Sequence, residues 1–194
     1  MVGVFTNAFI EVCEGQALDK EYEHRSKISM KEYLTMIKKK TAAMIAASCK
    51  LGALAGGGTM EAASRLFDFG RNLGIAFQIQ DDLLDITGDE EEFGKRIGGD
   101  VMEGKKTFLL VKALQRASVR DQKILSKIQP SHEVTLISVS KVLAIYRRIG
   151  VLKDAHKEIN RYTNLAHREL ATLPSSEANV ALRRLSEQLV FRTS

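Results

Sequence analysis

The sequence contains one long apolar segment that ends in acids, Gly70-Arg-Asn-Leu-Gly-Ile-Ala-Phe-Gln-Ile-Gln-Asp-Asp-Leu-Leu-Asp85. If this segment is a helix, Gly74, Gln78, Asp81 and Asp85 fall within a narrow arc, because residues three or four apart share a helix face. Most of the remaining circumference is apolar, which predicts a buried helix. We expect such a helix to carry three carboxylates in five residues only if something compensates for their charge.

A divalent cation is the simplest compensation for Asp81, Asp82 and Asp85. Two acids one helical turn apart repel by about 3 kcal/mol at an effective dielectric constant of about 20, and burial adds a desolvation cost. Carboxylate oxygens with few other ligands suit Mg²⁺, which keeps waters and often bridges to phosphate. The alternative is an exposed acidic helix end, which the preceding apolar run disfavours.

Composition points to one all-helical domain. The chain has 194 residues, of which 44% are hydrophobic, with two prolines and no tryptophan; this suffices for one core and favours helices. No apolar run approaches the ~18 residues of a membrane span. The net charge of +5 comes from basic residues scattered among acids, so we expect no nucleic-acid partner. Cys13 and Cys49 match no metal-binding spacing, and we expect both to fill the core of a cytoplasmic protein.

Capping signals divide the chain into helices. A first helix is expected over residues 2–19, and a second begins at Ser29, where Glu32 completes a capping box. Gly56-Gly-Gly58 resembles a helix stop rather than a phosphate-binding loop, because no Lys-Ser/Thr pair follows it. Thr59 then caps the central helix, 59–86. Beyond the charged loop Thr87 to Lys106, the predicted helices are 107–117, 120–128, 130–150, 151–173 and 176–191.

Several charged residues lie where they could meet an anion. Lys40 is centred on an apolar stripe of its predicted helix, so it must extend to solvent or bind an anionic partner. Asp19 ends a charged region and is as compatible with a plain surface acid as with a site. Lys95, Lys105 and Lys106 lie in the loop after the acidic helix, where they could place a cation over bound metals. The four histidines are isolated, and we expect them at the surface.

Taken together, seven motifs resemble the trans-polyprenyl diphosphate synthases, the farnesyl, geranylgeranyl and longer-chain enzymes. They are Glu14-Gly-Gln-Ala-Leu-Asp19, Lys40-Thr41, Gly74-Ile-Ala-Phe-Gln78, Asp81-Asp-Leu-Leu-Asp85, Gly94-Lys95, Gly98-Gly-Asp100 and Gly104-Lys105. Their order and spacing are similar to the family's pattern as far as Lys112, and beyond it only helical character agrees. The Phe-Gln-x-x-Asp-Asp-x-x-Asp block followed by Gly-Lys and Gly-x-Asp is specific.

The resemblance implies an all-α isoprenoid synthase fold of about seven or eight helices, and Mg²⁺-dependent elongation of an allylic diphosphate by isopentenyl diphosphate. It implies a cytoplasmic homodimer without a membrane segment. It assigns the second aspartate-rich motif to Asp81, Asp82 and Asp85, with Asp81 foremost as a metal ligand and Asp19 supporting the metals. The allylic diphosphate site would contain Lys40, Thr41, Gln78, Lys95 and Lys105, of which Lys40, Lys95 and Gln78 are catalytic. Asp100 and Gln16 would support these groups, while Gly70 and Gly74 would leave room for the prenyl chain.

The chain departs from the family pattern at its start. The family's first aspartate motif and its basic residues for isopentenyl diphosphate have no counterpart here. We therefore expect a single isoprenoid synthase domain over 1–194, truncated at its N-terminus and inactive alone, with motifs in 1–112 and supporting helices in 113–194. Two alternatives stay open, namely a non-catalytic regulatory subunit of a heteromeric synthase and a related class I terpene or head-to-head synthase. Product chain length cannot be predicted from these residues.

Overall fold

The computed structural model of the chain describes residues 1–88, 97–128 and 136–190, and within these ranges every regular element is a helix. The elements are α1 (Val2–Glu23), α2 (Met30–Ile37), a π segment (Lys38–Ala42), α3 (Ala43–Ala55), α4 (Met60–Thr87), α5 (Gly99–Met102), α6 (Phe108–Arg116), α7 (Val119–Leu125), α8 (Leu136–Ile149), α9 (Val151–Ala171) and α10 (Glu177–Val190). Because α2, the π segment and α3 are continuous, the described chain has nine helices, slightly more than predicted. The all-α prediction is confirmed.

The predicted helix boundaries follow from their capping groups. The Ser29 hydroxyl accepts the Glu32 N–H, and the Glu32 carboxylate accepts the Ser29 N–H, so the capping box before α2 is present. The Thr59 hydroxyl accepts the Ala62 N–H at the start of α4. Gly57, with φ of 75°, ends α3 in the left-handed conformation that glycine tolerates. These boundaries were predictable because each cap is a local interaction.

A π segment interrupts the helix where an uninterrupted α-helix was predicted. In this segment the Ala43 N–H bonds to the Lys38 carbonyl, five residues back. The extra residue changes the direction of the side chains that follow, so the helical wheel that centred Lys40 on an apolar stripe does not hold. Lys40 and Thr41 are both half-buried. Single π turns within α-helices are frequent at functional sites.

The central helix α4 is mostly buried from Phe69 to Ile86, as predicted for this part of the helix. Its fully buried side chains include Phe69, Leu73, Ile75, Ala76, Ile79, Leu83 and Ile86. Among the described residues, no helix combines the length and apolarity that crossing a bilayer requires.

The chain divides into two compact units, and the four boundaries between them in the described residues fall inside helices. The first unit contains Met1–Gln16, Thr35–Gln78 and the described chain from Glu158 onward, and its buried residues include Ala42, Ala46, Phe69 and Leu73. The second contains Ala17–Leu34 and the described residues between Ile79 and Lys157, and it buries Tyr33, Phe108, Leu125 and Tyr146. The expected single domain over 1–194 stays a prediction.

Candidate functional site

One face of α4 is more open than the rest of the helix. Phe77, Gln78, Asp81, Leu84 and Asp85 are half-buried, whereas the residues on the other faces at this end of the helix are almost completely buried. The spacing of these five residues places them on one stripe. Within the second unit, the two carboxylates of this stripe, Asp81 and Asp85, form a suitable surface for a polar ligand.

In the second unit, a charged cluster surrounds the Asp85 carboxylate. Its Oδ2 accepts the Asp100 N–H at 3.1 Å, near the start of α5. The Lys105 ammonium donates to Asp100 Oδ1 at 2.8 Å and lies 2.9 Å from Glu103 Oε2. Although burial opposes it, these carboxylates raise the pKa of Lys105. Asp100 therefore contacts a lysine of the predicted site, and Lys105 meets a second acid, Glu103, that was not predicted.

The environment of Asp85 disfavours its ionised form. Burial and the neighbouring Asp100 carboxylate raise the pKa of Asp85 to about 7, although the Asp100 N–H and the Lys105 ammonium oppose this. A carboxyl group in such surroundings gains from a nearby cation, because the cation offsets both the lost hydration and the repulsion. The donor chemistry at this end of α4 thus fits a hard divalent ion.

Asp82 has different surroundings from the other two acids of its motif. It is only 5% exposed, and its Oδ2 accepts both the Tyr33 hydroxyl and the Phe108 N–H, each at 2.7 Å. The sequence offered one signal for this contact, since a tyrosine on the buried stripe of α2 needs a partner for its hydroxyl. One oxygen of the Asp82 carboxylate therefore accepts two hydrogen bonds in the interior of the second unit.

In the first unit, the π segment positions Thr41 beside Gln78. The Thr41 hydroxyl donates to Gln78 Oε1 at 2.7 Å, which fixes the orientation of the amide. The backbone of α1 comes very close to the π segment, because a Cβ built on Gly15 would clash with the backbone nitrogen of Lys40. Only glycine permits this approach.

The two residues predicted on α1 have opposite environments. Asp19 is 5% exposed, so the interpretation as a surface acid is wrong. Gln16 is exposed, and its supporting role stays a prediction. Lys95 lies outside the described residues, and its role also stays a prediction.

Three other expectations are wrong. Lys106 does not point toward ligands; it is 3% exposed, its ammonium donates to the Glu23 and Gly104 carbonyls, and burial lowers its pKa. Cys13 is exposed rather than buried. Gly70 and Gly74 leave no room for a prenyl chain, because each lies against α3 or the π segment: Cβ atoms there would lie 2.8 Å from Ala46 Cα and 2.6 Å from Ala42 Cα.

The described residues contain no group of three His, Cys, Asp or Glu side chains that converge closely enough to hold a metal ion. Proteins commonly hold Mg²⁺ by one or two carboxylates, while waters and substrate phosphates complete its shell. Asp81 and Asp85 are the acids of the motif on the half-buried face of α4.

Comparison with known proteins places these features in a family. Residues 1–146 match the model of the family described as polyprenyl synthetase. A short chain isoprenyl diphosphate synthase of Methanothermobacter thermautotrophicus is 41% identical over 191 residues, 98% of this chain and 58% of that protein. The heptaprenyl diphosphate synthase component 2 of Geobacillus stearothermophilus is 34% identical, over 94% of this chain and 56% of its own length.

A solved structure shows the same fold. The polyprenyl synthase of Caulobacter crescentus, complexed with calcium and isoprenyl diphosphate, matches the whole chain with a TM-score of 0.92 and 30% identity, and this chain covers 59% of it. The chain thus spans less than three fifths of the length of the relatives named here. On the family match and on the 41% identity over almost its full length, the chain belongs to the polyprenyl synthetase family.

Proposed function

We propose that this chain carries the metal- and allylic-diphosphate-binding part of a prenyltransferase that extends an allylic diphosphate with isopentenyl diphosphate. The observation that carries the proposal is the half-buried stripe of α4 within the second unit, where Asp81 and Asp85 lie about one helical turn apart and the intervening Asp82 and Leu83 are buried. A helix with this pattern presents polar groups to a ligand while its apolar faces stabilise the fold. Family membership supports the same reaction class.

The reaction requires that negative charge be held as it develops. The allylic carbon–oxygen bond breaks, and its electron pair leaves with the diphosphate. The double bond of isopentenyl diphosphate attacks the allylic cation, a carbon–carbon bond forms, and loss of a proton restores a double bond. Groups that stabilise the leaving diphosphate therefore lower the barrier, and surroundings without water protect the cation.

Two groups of residues would stabilise the diphosphate, one by holding a metal ion and the other by contacting phosphate oxygens. Asp81 and Asp85, supported by Asp19, would hold Mg²⁺, which neutralises charge on a bound diphosphate. Lys40 and Lys105 would contact phosphate oxygens directly. The Gln78 amide, oriented by the Thr41 hydroxyl, would also line the diphosphate site.

Lys105 needs Asp100 for this role. Asp100 holds its ammonium in place and, through its own N–H, also contacts Asp85. Asp100 is therefore proposed as a positioning residue, and Lys95 is proposed as a further phosphate contact on the family pattern alone.

A binding measurement tests the proposal without requiring turnover. Titration calorimetry with inorganic diphosphate should show binding that depends on Mg²⁺ and is weakened by Lys40→Met and by Gln78→Ala. Lys50→Met, a change of a half-buried lysine on α3, serves as the control. Binding of diphosphate that is the same with and without Mg²⁺ and in all variants would contradict the proposal.

The assembly is a separate question. We propose a homodimer, supported by exposed apolar residues on α1, where Val2, Phe5 and Phe9 recur at helical spacing. The similarity to a protein named as component 2 of a heptaprenyl diphosphate synthase supports the second candidate, a subunit that works with a different partner. Light scattering of the purified chain, alone and mixed with the first component of such an enzyme, distinguishes the two. We also expect a cytoplasmic location.

A further inference from the structure

The Asp82 carboxylate joins three helices in the second unit. From α4 it accepts the hydroxyl of Tyr33 on α2 and the N–H of Phe108, the first residue of α6, both through Oδ2. Tyr33 is 1% exposed, and its ring meets the Phe108 ring edge-on with centroids 6.1 Å apart. Burial and the Asp82 carboxylate raise the pKa of Tyr33, so its hydroxyl stays a proton donor.

The adjacent acids of the motif have a different environment. Successive residues of an α-helix are rotated by about 100°, so Asp82 points away from the direction of Asp81. Asp81 and Asp85 are half-buried, whereas Asp82 is buried. The three acids therefore do not form one uniform ligand set.

We propose that Asp82 is not a metal ligand and that, with Tyr33, it is a positioning residue that holds α4 against α6 and so directs Asp81 and Asp85 toward the metal. This inference rests on the proposed function. A carboxylate that accepts two hydrogen bonds in the interior stabilises the helix N-terminus it touches. It thereby fixes the rotation of α4 on which its two neighbours depend.

Replacement of each acid by its amide distinguishes metal ligands from Asp82, the anchor that holds α4 against α6. Asparagine keeps an oxygen that accepts hydrogen bonds but loses the charge that a divalent ion needs. Binding of Mn²⁺ in the presence of inorganic diphosphate can be followed by the loss of the free-ion electron paramagnetic resonance signal. Asp81→Asn and Asp85→Asn should weaken Mn²⁺ binding on the order of tenfold or more, whereas Asp82→Asn should stay within about threefold.

Tyr33 offers a test that leaves all three acids intact. Tyr33→Phe removes one of the two bonds to Asp82 and should weaken Mn²⁺ binding by about three- to tenfold. Tyr146→Phe is the matched control, because Tyr146 is equally buried in the second unit and its hydroxyl makes no hydrogen bond to Asp82. The control should leave Mn²⁺ binding unchanged.

Amide hydrogen exchange tests the anchor independently of metal. The Phe108 amide should lose most of its protection in Asp82→Ala and keep it in Asp82→Asn. The inference is overturned if Asp82→Asn weakens Mn²⁺ binding as much as Asp81→Asn, or if Tyr33→Phe and Tyr146→Phe behave alike. If the unmodified chain bound no Mn²⁺, the proposed metal site and the directing role of Asp82 would both be wrong. If the exchange of the Phe108 amide were unchanged in Asp82→Ala, Asp82 would also not hold α4 against α6.

Discussion

Gly74 on α4 and Ala42 in the π segment are in direct backbone contact within the first unit. A Cβ placed on Gly74 would lie 2.6 Å from Ala42 Cα and 2.8 Å from its Cβ. No side chain larger than hydrogen fits at such a distance. The close approach of the π segment therefore requires glycine at position 74 of α4.

Gly74→Ala should therefore destabilise the chain, although alanine is the better helix former. Forcing one methyl group into this contact should cost about 1–3 kcal/mol, measured by urea unfolding. Gly52→Ala is the matched control, because position 52 also lies within a helix but no atom would come within 4 Å of the new Cβ. That change should raise the free energy of unfolding by about 0.5–1 kcal/mol. Equal effects of the two changes would show that the Gly74 contact is not tight.

The features predictable from sequence were those with local causes. The course of α4 followed from its apolar periodicity, and the capping box of Ser29 and Glu32 followed from residue types three positions apart. Both depend on interactions within one or two helical turns. The family resemblance pointed to Lys105 and Asp100 as site residues, and the structure adds the contact between them.

The features that were missed depend on packing between distant segments. The π segment produces no periodic pattern in the sequence. It adds one residue to a single turn of the helix, and packing against neighbouring segments rather than its own composition favours this extra residue. Gly74 was expected to border a prenyl chain and instead touches Ala42. The Asp82 contacts come from residues 49 positions before it and 26 after it, so nothing near Asp82 in the sequence distinguishes it from Asp81.

The capping box predicts a pH dependence of stability. Hydrogen bonds from the backbone and hydroxyl of Ser29, together with Arg25, lower the pKa of Glu32 to about 2. Because the folded-state pKa lies below the ordinary value of 4.5, this stabilisation is complete above that value and is lost as the pH falls toward 2.

Glu32→Gln should remove that part of the pH dependence. Urea unfolding of the variant and of the unchanged chain, compared between pH 5 and pH 2.5, should show a smaller loss of stability in the variant. Glu61→Gln, in the first turn of α4, controls for the loss of one surface carboxylate. A loss in Glu32→Gln as large as in the unchanged chain would show that the capping carboxylate is not ionised in the cap.

Asp85 should destabilise the chain when no metal is bound. Burial and Asp100 raise its pKa to about 7, so the stability of the fold falls as the pH rises from the ordinary aspartate range through 7. At pH 8, Asp85→Asn should therefore increase the free energy of unfolding by about 1–2 kcal/mol, a value that allows for solvent screening of a half-buried group.

The same change should remove the response to metal. Millimolar Mg²⁺ with inorganic diphosphate should raise the melting temperature of the unchanged chain and have a much smaller effect on Asp85→Asn. Asp154→Asn, which alters a half-buried acid on α9, should respond to Mg²⁺ as the unchanged chain does. A full response in Asp85→Asn would remove Asp85 from the proposed ligands.

Lys105 should contribute to diphosphate binding in competition with its own neighbour. Its ammonium lies 2.8 Å from Asp100 and 2.9 Å from the mostly exposed Glu103. A phosphate oxygen that approaches Lys105 can replace Glu103 more easily than Asp100, because an exposed ion pair contributes at most about 1 kcal/mol. Lys105→Met should weaken binding of inorganic diphosphate in Mg²⁺ about tenfold, since a charge-assisted contact is lost, whereas Glu103→Gln should leave it unchanged or strengthen it. Weaker binding in both variants would mean that Glu103 supports Lys105 rather than competing with the ligand.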